Sequence, residues 1–215
     1  MKSRALLLVL GALVAAAAAC AACHLLRPPP SGSIDGGQGE SASVQLTGPD
    51  RPKSWAVRVS RPGCPNLHKV SEDLYRGAQP SAEGMKELRK LGVKTIVNLR
   101  SFNSDRPEIE KSGEQFHYEH IWMKAWHAED KEIVHFLKVV NDPARRPVFV
   151  HCQHGADRTG TMCAVYRVAV QGWDKKEALR EMTRGGYGYH GIWQNLLRYV
   201  TDLDVEEMKR RAGME

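Results

Sequence analysis

The sequence predicts an α/β domain: a small central, partly parallel sheet flanked by helices, preceded by an N-terminal apolar helix. Three observations predict it. Strand-length apolar runs alternate with helical periodicity in the first half of the chain, and helical periodicity crowds the second half. The apolar run 148–150 stops abruptly in a polar loop, and helical spacing resumes at Met162, Val165, Tyr166 and Ala169. The length of 215 residues, 42% of them hydrophobic, suits one domain with a sizeable core and a short extension.

The N-terminus reads separately. Lys2 and Arg4 precede an apolar stretch over residues 5–26. This is the build of a secretory signal peptide or signal anchor, assigned to residues 1–26. The stretch is long enough to span a bilayer, with Cys20, Cys23 and His24 near one end. Positive charges before it favour a cytoplasmic N-terminus and an exported body, anchored in the inner membrane or free outside the cytoplasm. Cys20-Ala21-Ala22-Cys23-His24 spells a c-type haem attachment pattern. No haem is expected, because a leader offers no folded residues around it. Residues 27–65 are rich in Pro, Gly and Ser and read as a flexible tether.

The globular pattern is assigned to residues 66–205, with 206–215 as a C-terminal tail. A short strand is expected around Leu74 and Tyr75. A helix follows Pro80, with Ser81 as N-cap and Gly92 as stop. Residues 93–99 read as a buried strand, and the alternating residues 116–122 as another. Ile133, Phe136, Leu137 and Val140 share one helical face that ends at Asp142-Pro143. Asp174 opens a further helix with Glu177 three residues on, the spacing of a capping box. Trp193, Leu196, Leu197 and Val200 mark one face of the last expected helix.

Formal net charge is +6, spread along the chain without internal repeats. That tilt suits an anionic ligand or a membrane surface and not a dedicated nucleic-acid binder.

The loop after the 148–150 run carries His151, Cys152, Gln153, His154, Gly155, Ala156, Asp157, Arg158, Thr159 and Gly160. It lies where a strand ends and a helix begins. Backbone N–H groups there point inward, and the helix N-terminus adds positive potential, so the place suits a phosphate-like anion. The Arg158 guanidinium can hold two phosphate oxygens at once. The same field favours the thiolate of Cys152. A thiolate beneath a clamped phosphate is a nucleophile aimed at phosphorus. A metal site at His151, Cys152 and His154 fails on geometry, since adjacent residues of a tight loop cannot all face one tetrahedral centre. Cys163 reads as core filler and Cys64 as a loop thiol open to oxidation.

The pattern His151-Cys152-x5-Arg158-Thr159-Gly160 resembles the signature loop of cysteine-dependent protein tyrosine and dual-specificity phosphatases. The stretches 74–81, 96–100 and 164–167 are similar to segments of the atypical bacterial, fungal and plant dual-specificity branch. The resemblance implies a two-step hydrolysis without metal or other cofactor. Cys152 takes the phosphoryl group, Arg158 stabilises its oxygens, and Thr159 donates a hydrogen bond to the sulfur. His151 supports the loop, and Gln153, His154, Gly155 and Ala156 bind substrate with Arg158.

The general acid departs from the family pattern. Typical members carry an aspartate on a loop upstream of the cysteine. Here His120 stands near that distance, and His127, Glu129 and Asp130 come later. Charge compensation at a helix N-terminus is the plain reading of Glu129 and Asp130. Asp157 is the first candidate, because Gly-x-Asp-Arg-Thr resembles lipid phosphatases of the myotubularin kind; Asp130 is the second. The expected substrate is a phosphotyrosine or other phosphoprotein, or a phosphoinositide or inositol phosphate. Lys124, Trp126 and His127 are candidate contacts, and 185–190 a flexible wall. The alternative is a catalytically weak pseudophosphatase that binds phosphorylated ligands.

Overall fold

The computed structural model describes Leu46 and residues 48–214. The leader, its cysteines and most of the tether lie outside the described residues. Among the described residues no helix is long and apolar enough to cross a membrane.

Six strands form one mixed sheet: β1 (Val57–Arg58), β2 (His68–Lys69), β3 (Leu74–Gly77), β4 (Thr95–Asn98), β5 (His117–His120) and β6 (Val148–His151), in the order β1-β2-β3-β6-β4-β5. The four strands from β3 to β5 run parallel, and β1 and β2 add an antiparallel edge. β6 is central, pairing Phe149 with Ile96 and Val150 with Val97. Period two then divides its side chains. Phe149, Ile96 and Tyr75 face Met85 and Leu88 of α1 (Ala82–Lys90), with α2 (Arg106–Ser112) alongside. Val148, Val150 and Val97 face the larger layer. That layer comprises α3 (Asp130–Asn141), α4 (Asp157–Ala169), α5 (Lys175–Arg184), α6 (Gln194–Asp202) and α7 (Val205–Ala212). β6 and β4 are buried on both sides, which is why their apolar residues, 148–150 and 96–97, run together without alternation.

The α1 caps follow the sequence reading. Ser81 accepts from the Gly84 amide, and Gly92 takes positive φ after the last turn. The Asp174 cap forms only half of the expected box. Asp174 accepts from the Lys176 and Glu177 amides, but the Glu177 carboxylate accepts from Trp55 Nε1 at 2.7 Å. A full capping box forms instead at α3, between Glu129 and Glu132.

The packed body reaches past 66–205 at both ends. Trp55 and Ala56 are buried, and the Ala56 amide donates to Glu181 Oε1 at 2.6 Å. Glu181 also forms a bidentate pair with Arg167, at 2.7 and 2.8 Å, beneath that segment. Pro and Gly content hid this, because the anchoring contacts are long-range. At the other end α7 replaces the expected tail, burying Met208 and Ala212.

Candidate active site

β6 delivers His151 and Cys152 to the carboxyl edge of the sheet, and α4 begins at Asp157. Between them the loop bends tightly. Gly155 has φ +69°, and a Cβ there would lie 2.4 Å from the Gly77 carbonyl, so only glycine fits.

The loop carbonyls are drawn outward. The Gln153 carbonyl accepts from the Gln79 amide at 3.3 Å, and the His154 carbonyl from Asn66 Nδ2 at 3.0 Å. Arg76 donates from Nη2 to the Gly155 carbonyl at 2.7 Å. The amides of residues 153–157 donate to no acceptor among the described residues. With the carbonyls turned away, those amides and the start of α4 offer a positive cradle above Cys152. Cys152 itself is 3% exposed.

The loop and its flanks carry three further groups that the sequence reading names. Arg158 is held by Nη1 contacts to the Leu99 carbonyl (3.2 Å) and the Met123 carbonyl (3.4 Å). Thr159 is fully buried, and its hydroxyl has no partner among the described residues. An unpaired buried hydroxyl beside the loop is free to donate to a sulfur that gains charge. His151 is buried, with Nδ1 3.2 Å from the Cys152 carbonyl and Nε2 2.6 Å from Asp105 Oδ2.

Arg158 and Gln153 border a cleft of about 750 Å³. Arg100, Lys124 and Lys131 add positive charge to its wall. Phe102, Trp122 and Trp126 also border it and are 94%, 65% and 59% exposed. Lys124 and Trp126, the candidate contacts, border this cleft. His127 does not border the cleft.

The acid candidates fall elsewhere. Asp157 has both oxygens engaged by His190: Oδ1 by its amide and Oδ2 by Nδ1, each at 2.8 Å. Asp130 does not border the cleft; its oxygens accept from Tyr199 at 2.8 Å and Arg211 at 3.0 Å. Both carboxylates are thus used to tie elements together. His120 donates from Nε2 to the Arg100 carbonyl at 2.6 Å. Two other carboxyls border the cleft. Lys131 and Lys124 hold Glu129 below the usual carboxylate range. Burial pushes Glu132 up, opposed by the hydrogen bond from the Glu129 amide.

The 185–190 segment lies beside His154 on the outer flank of the loop, not on the cleft wall. The two remaining described cysteines are buried. Burial pushes the Cys163 thiol up to about 11, as suits core filler. Cys64 is not an open loop thiol: it is 6% exposed, donates to the Gly84 carbonyl at 3.3 Å, and is pushed up to about 12 by burial.

Sequence reasoning missed Asp105, Arg76, Asn66 and Gln79, which shape the loop from behind. A signal existed for Arg76, a charged residue inside a strand that is otherwise apolar. Its guanidinium stacks 3.8 Å over the Tyr187 ring. Asp105 sits in a polar stretch with no local pattern to mark it.

Comparison with known proteins agrees with this geometry. The family model described as DSP-PTPase phosphatase fused to NAD+ kinase matches residues 64–195. Dual specificity protein phosphatase TpbA of Pseudomonas aeruginosa is 36% identical over 164 residues, covering 76% of this chain and 73% of that protein. Inositol diphosphatase DSP5 of Arabidopsis thaliana is 26% identical over 157 residues, covering 68% of this chain and 73% of that protein. The crystal structure of P. aeruginosa TpbA has a TM-score of 0.65 at 35% identity, covering 75% of this chain and 97% of that one.

Proposed function

The chain belongs to the DSP-PTPase family, in the atypical dual-specificity phosphatase branch, and from that premise we propose a phosphocysteine mechanism at Cys152. The Cys152 thiolate attacks phosphorus, and the bond from phosphorus to the leaving oxygen breaks. The leaving oxygen takes a proton. Water then attacks the phosphocysteine and releases phosphate and thiolate, with Thr159 donating to the departing sulfur. Arg158 and the loop amides carry the charge on the transferring oxygens. The observation that carries this reading is the outward set of loop carbonyls, beside five successive residues, 153–157, whose amides donate to no acceptor among the described residues. Of the cleft carboxyls, Glu132 is the one that burial biases toward the protonated form, and it serves as proton donor in this reading.

The substrate read from the cleft is an aryl phosphate, phosphotyrosine. Phe102, Trp122 and Trp126 expose apolar surface beside Arg158, where an aromatic leaving group would lie. In support, TpbA crystallised with phosphotyrosine is 33% identical to this chain. Arg100, Lys124 and Lys131 favour a second reading, an inositol phosphate. Steady turnover of para-nitrophenyl phosphate that disappears in Cys152→Ser tests the mechanism; no turnover in the intact protein, with phosphorylated ligands still bound, favours the binding-only alternative. The apolar leader supports export or anchoring at the inner membrane. Protease added outside the cytoplasmic membrane should digest the protein in that case.

A further inference from the structure

A second pocket of about 410 Å³ lies on the outer flank of the signature loop, bordered by His154, His190 and the 186–188 turn. Asp157, beside Arg158 in the chain, fixes His190 through two 2.8 Å contacts. With Nδ1 committed to a carboxylate, the ring keeps Nε2 as its free nitrogen. The His154 ring stands 5.9 Å from the His190 ring, edge to face, and makes no side-chain hydrogen bond among the described residues. Gly186 and Gly188 both take positive φ, at 84° and 83°. The amides of residues 186–188 donate to no acceptor among the described residues. Asn66 holds this turn to the signature loop, donating from Nδ2 to both the Tyr187 and the His154 carbonyls, at 2.9 and 3.0 Å. Among the described residues no carboxylate borders the pocket. Two imidazoles and a turn of unpaired amides make a concavity suited to an oxyanion.

We propose that this pocket is a second anion subsite, which takes a phosphoryl group carried beside the scissile phosphate. His190 and His154 donate to it together with the amides of the 186–188 turn, and Asp157 is the positioning residue that aims His190. In this arrangement His190 presents Nδ1–H to Asp157 and Nε2–H to the ligand. The inference rests on the assignment of the signature loop as the scissile-phosphate site. Its chemistry is shared by two sources: an inositol polyphosphate ring, or a phosphotyrosine with a neighbouring phosphoserine.

Binding in the full-length chain carrying Cys152→Ser tests it without need of turnover. The probes are inositol hexakisphosphate, a peptide with phosphotyrosine beside phosphoserine, and the same peptide with phosphotyrosine alone. His190→Ala should weaken a polyphosphorylated probe about tenfold, the scale of one charge-assisted hydrogen bond. The singly phosphorylated peptide should change less than about twofold, as for a removed distant charge. His190→Gln keeps a side chain able to bond Asp157 but carries no charge, and should show the same selective loss. A loss confined to the inositol probe assigns the ring as source, and one confined to the peptide assigns the protein; either supports the subsite. Equal loss for singly and doubly phosphorylated peptides, full rescue by His190→Gln, or no loss for any probe overturns it. Failure of para-nitrophenyl phosphate turnover would strike the phosphocysteine mechanism and leave these binding differences intact.

Discussion

His151 Nε2 and Asp105 Oδ2 lie 2.6 Å apart with both side chains fully buried, and this contact fixes the first residue of the signature loop from the far side of the sheet edge. Asp105 also accepts from Gln79 Nε2 at 2.8 Å, so one carboxylate holds both the loop and the segment after β3. Breaking a buried pair strands its partner. Asp105→Ala should cost about 3–5 kcal/mol of stability, read as a fall in urea midpoint. Asp105→Asn keeps an acceptor for Gln79. It should retain most stability and still lose about tenfold or more in kcat. An Asp105→Asn protein with unchanged kcat would remove His151 support from the account.

Cys152→Ser should abolish turnover, because a hydroxyl gains too little from the positive cradle to ionise. Arg158→Lys should fall nearly as far, since an ammonium cannot bridge two phosphate oxygens from the Leu99 and Met123 anchor points. Activity should persist in EDTA. A purified Cys152→Ser protein with wild-type rate is incompatible with the mechanism.

The proton donor separates by pH profile. Glu132→Gln preserves an acceptor for the Glu129 amide, so α3 should keep its cap. It should flatten the basic limb of kcat and lower the maximum by about 10²-fold. Asp157→Asn should leave that limb in place, because Asp157 serves His190. A flattened limb in Asp157→Asn with an intact one in Glu132→Gln would return the role to Asp157.

Oxidation should single out Cys152. A thiolate is the form that attacks peroxide, expelling hydroxide to leave a sulfenic acid, and burial keeps Cys64 and Cys163 as thiols. Peroxide should inactivate the enzyme, a thiol reductant should restore it, and phosphate should slow the loss by covering Cys152. Cys64→Ser should inactivate at the wild-type rate; protection by that substitution would make Cys64 a partner after all.

His68 gives the fold an acid-sensitive point. It is buried against the Tyr187 ring, 4.8 Å between centroids, and burial pushes it down to about 4. The unfolded chain binds its proton near pH 6.5, while the folded chain does not until about 4. Between those values the unfolded state holds more protons, so stability falls as pH drops from 6.5 toward 4. The loss is up to about 3 kcal/mol. His68→Gln should flatten that part of the stability curve; an unchanged slope would show that His68 is not its source.

Much of this was open to reading in the linear chain. β4 and β6 announce themselves because strands buried on both faces leave no polar period. α1 announces itself through its Ser81 cap and Gly92 stop, and α3 through one apolar stripe. The nucleophile, the arginine and the threonine sit on one short loop, where spacing along the backbone is also spacing in space. Those features are local, and local chemistry is written in order along the chain.

What only the tertiary structure decided depends on residues far apart. Arg76 and Gly155 meet across 79 positions, and Asp105 and His151 across 46. Asp157 looks like an acid because it precedes Arg158. It is turned instead to a partner 33 positions on. Residues 54–56 read as tether because Pro and Gly surround them, yet the Arg167–Glu181 pair draws them onto α5. A carboxylate carries no mark of the donor it will find. Folding chooses that donor, because a buried charge must be paired and the nearest partner is set by how the layers pack.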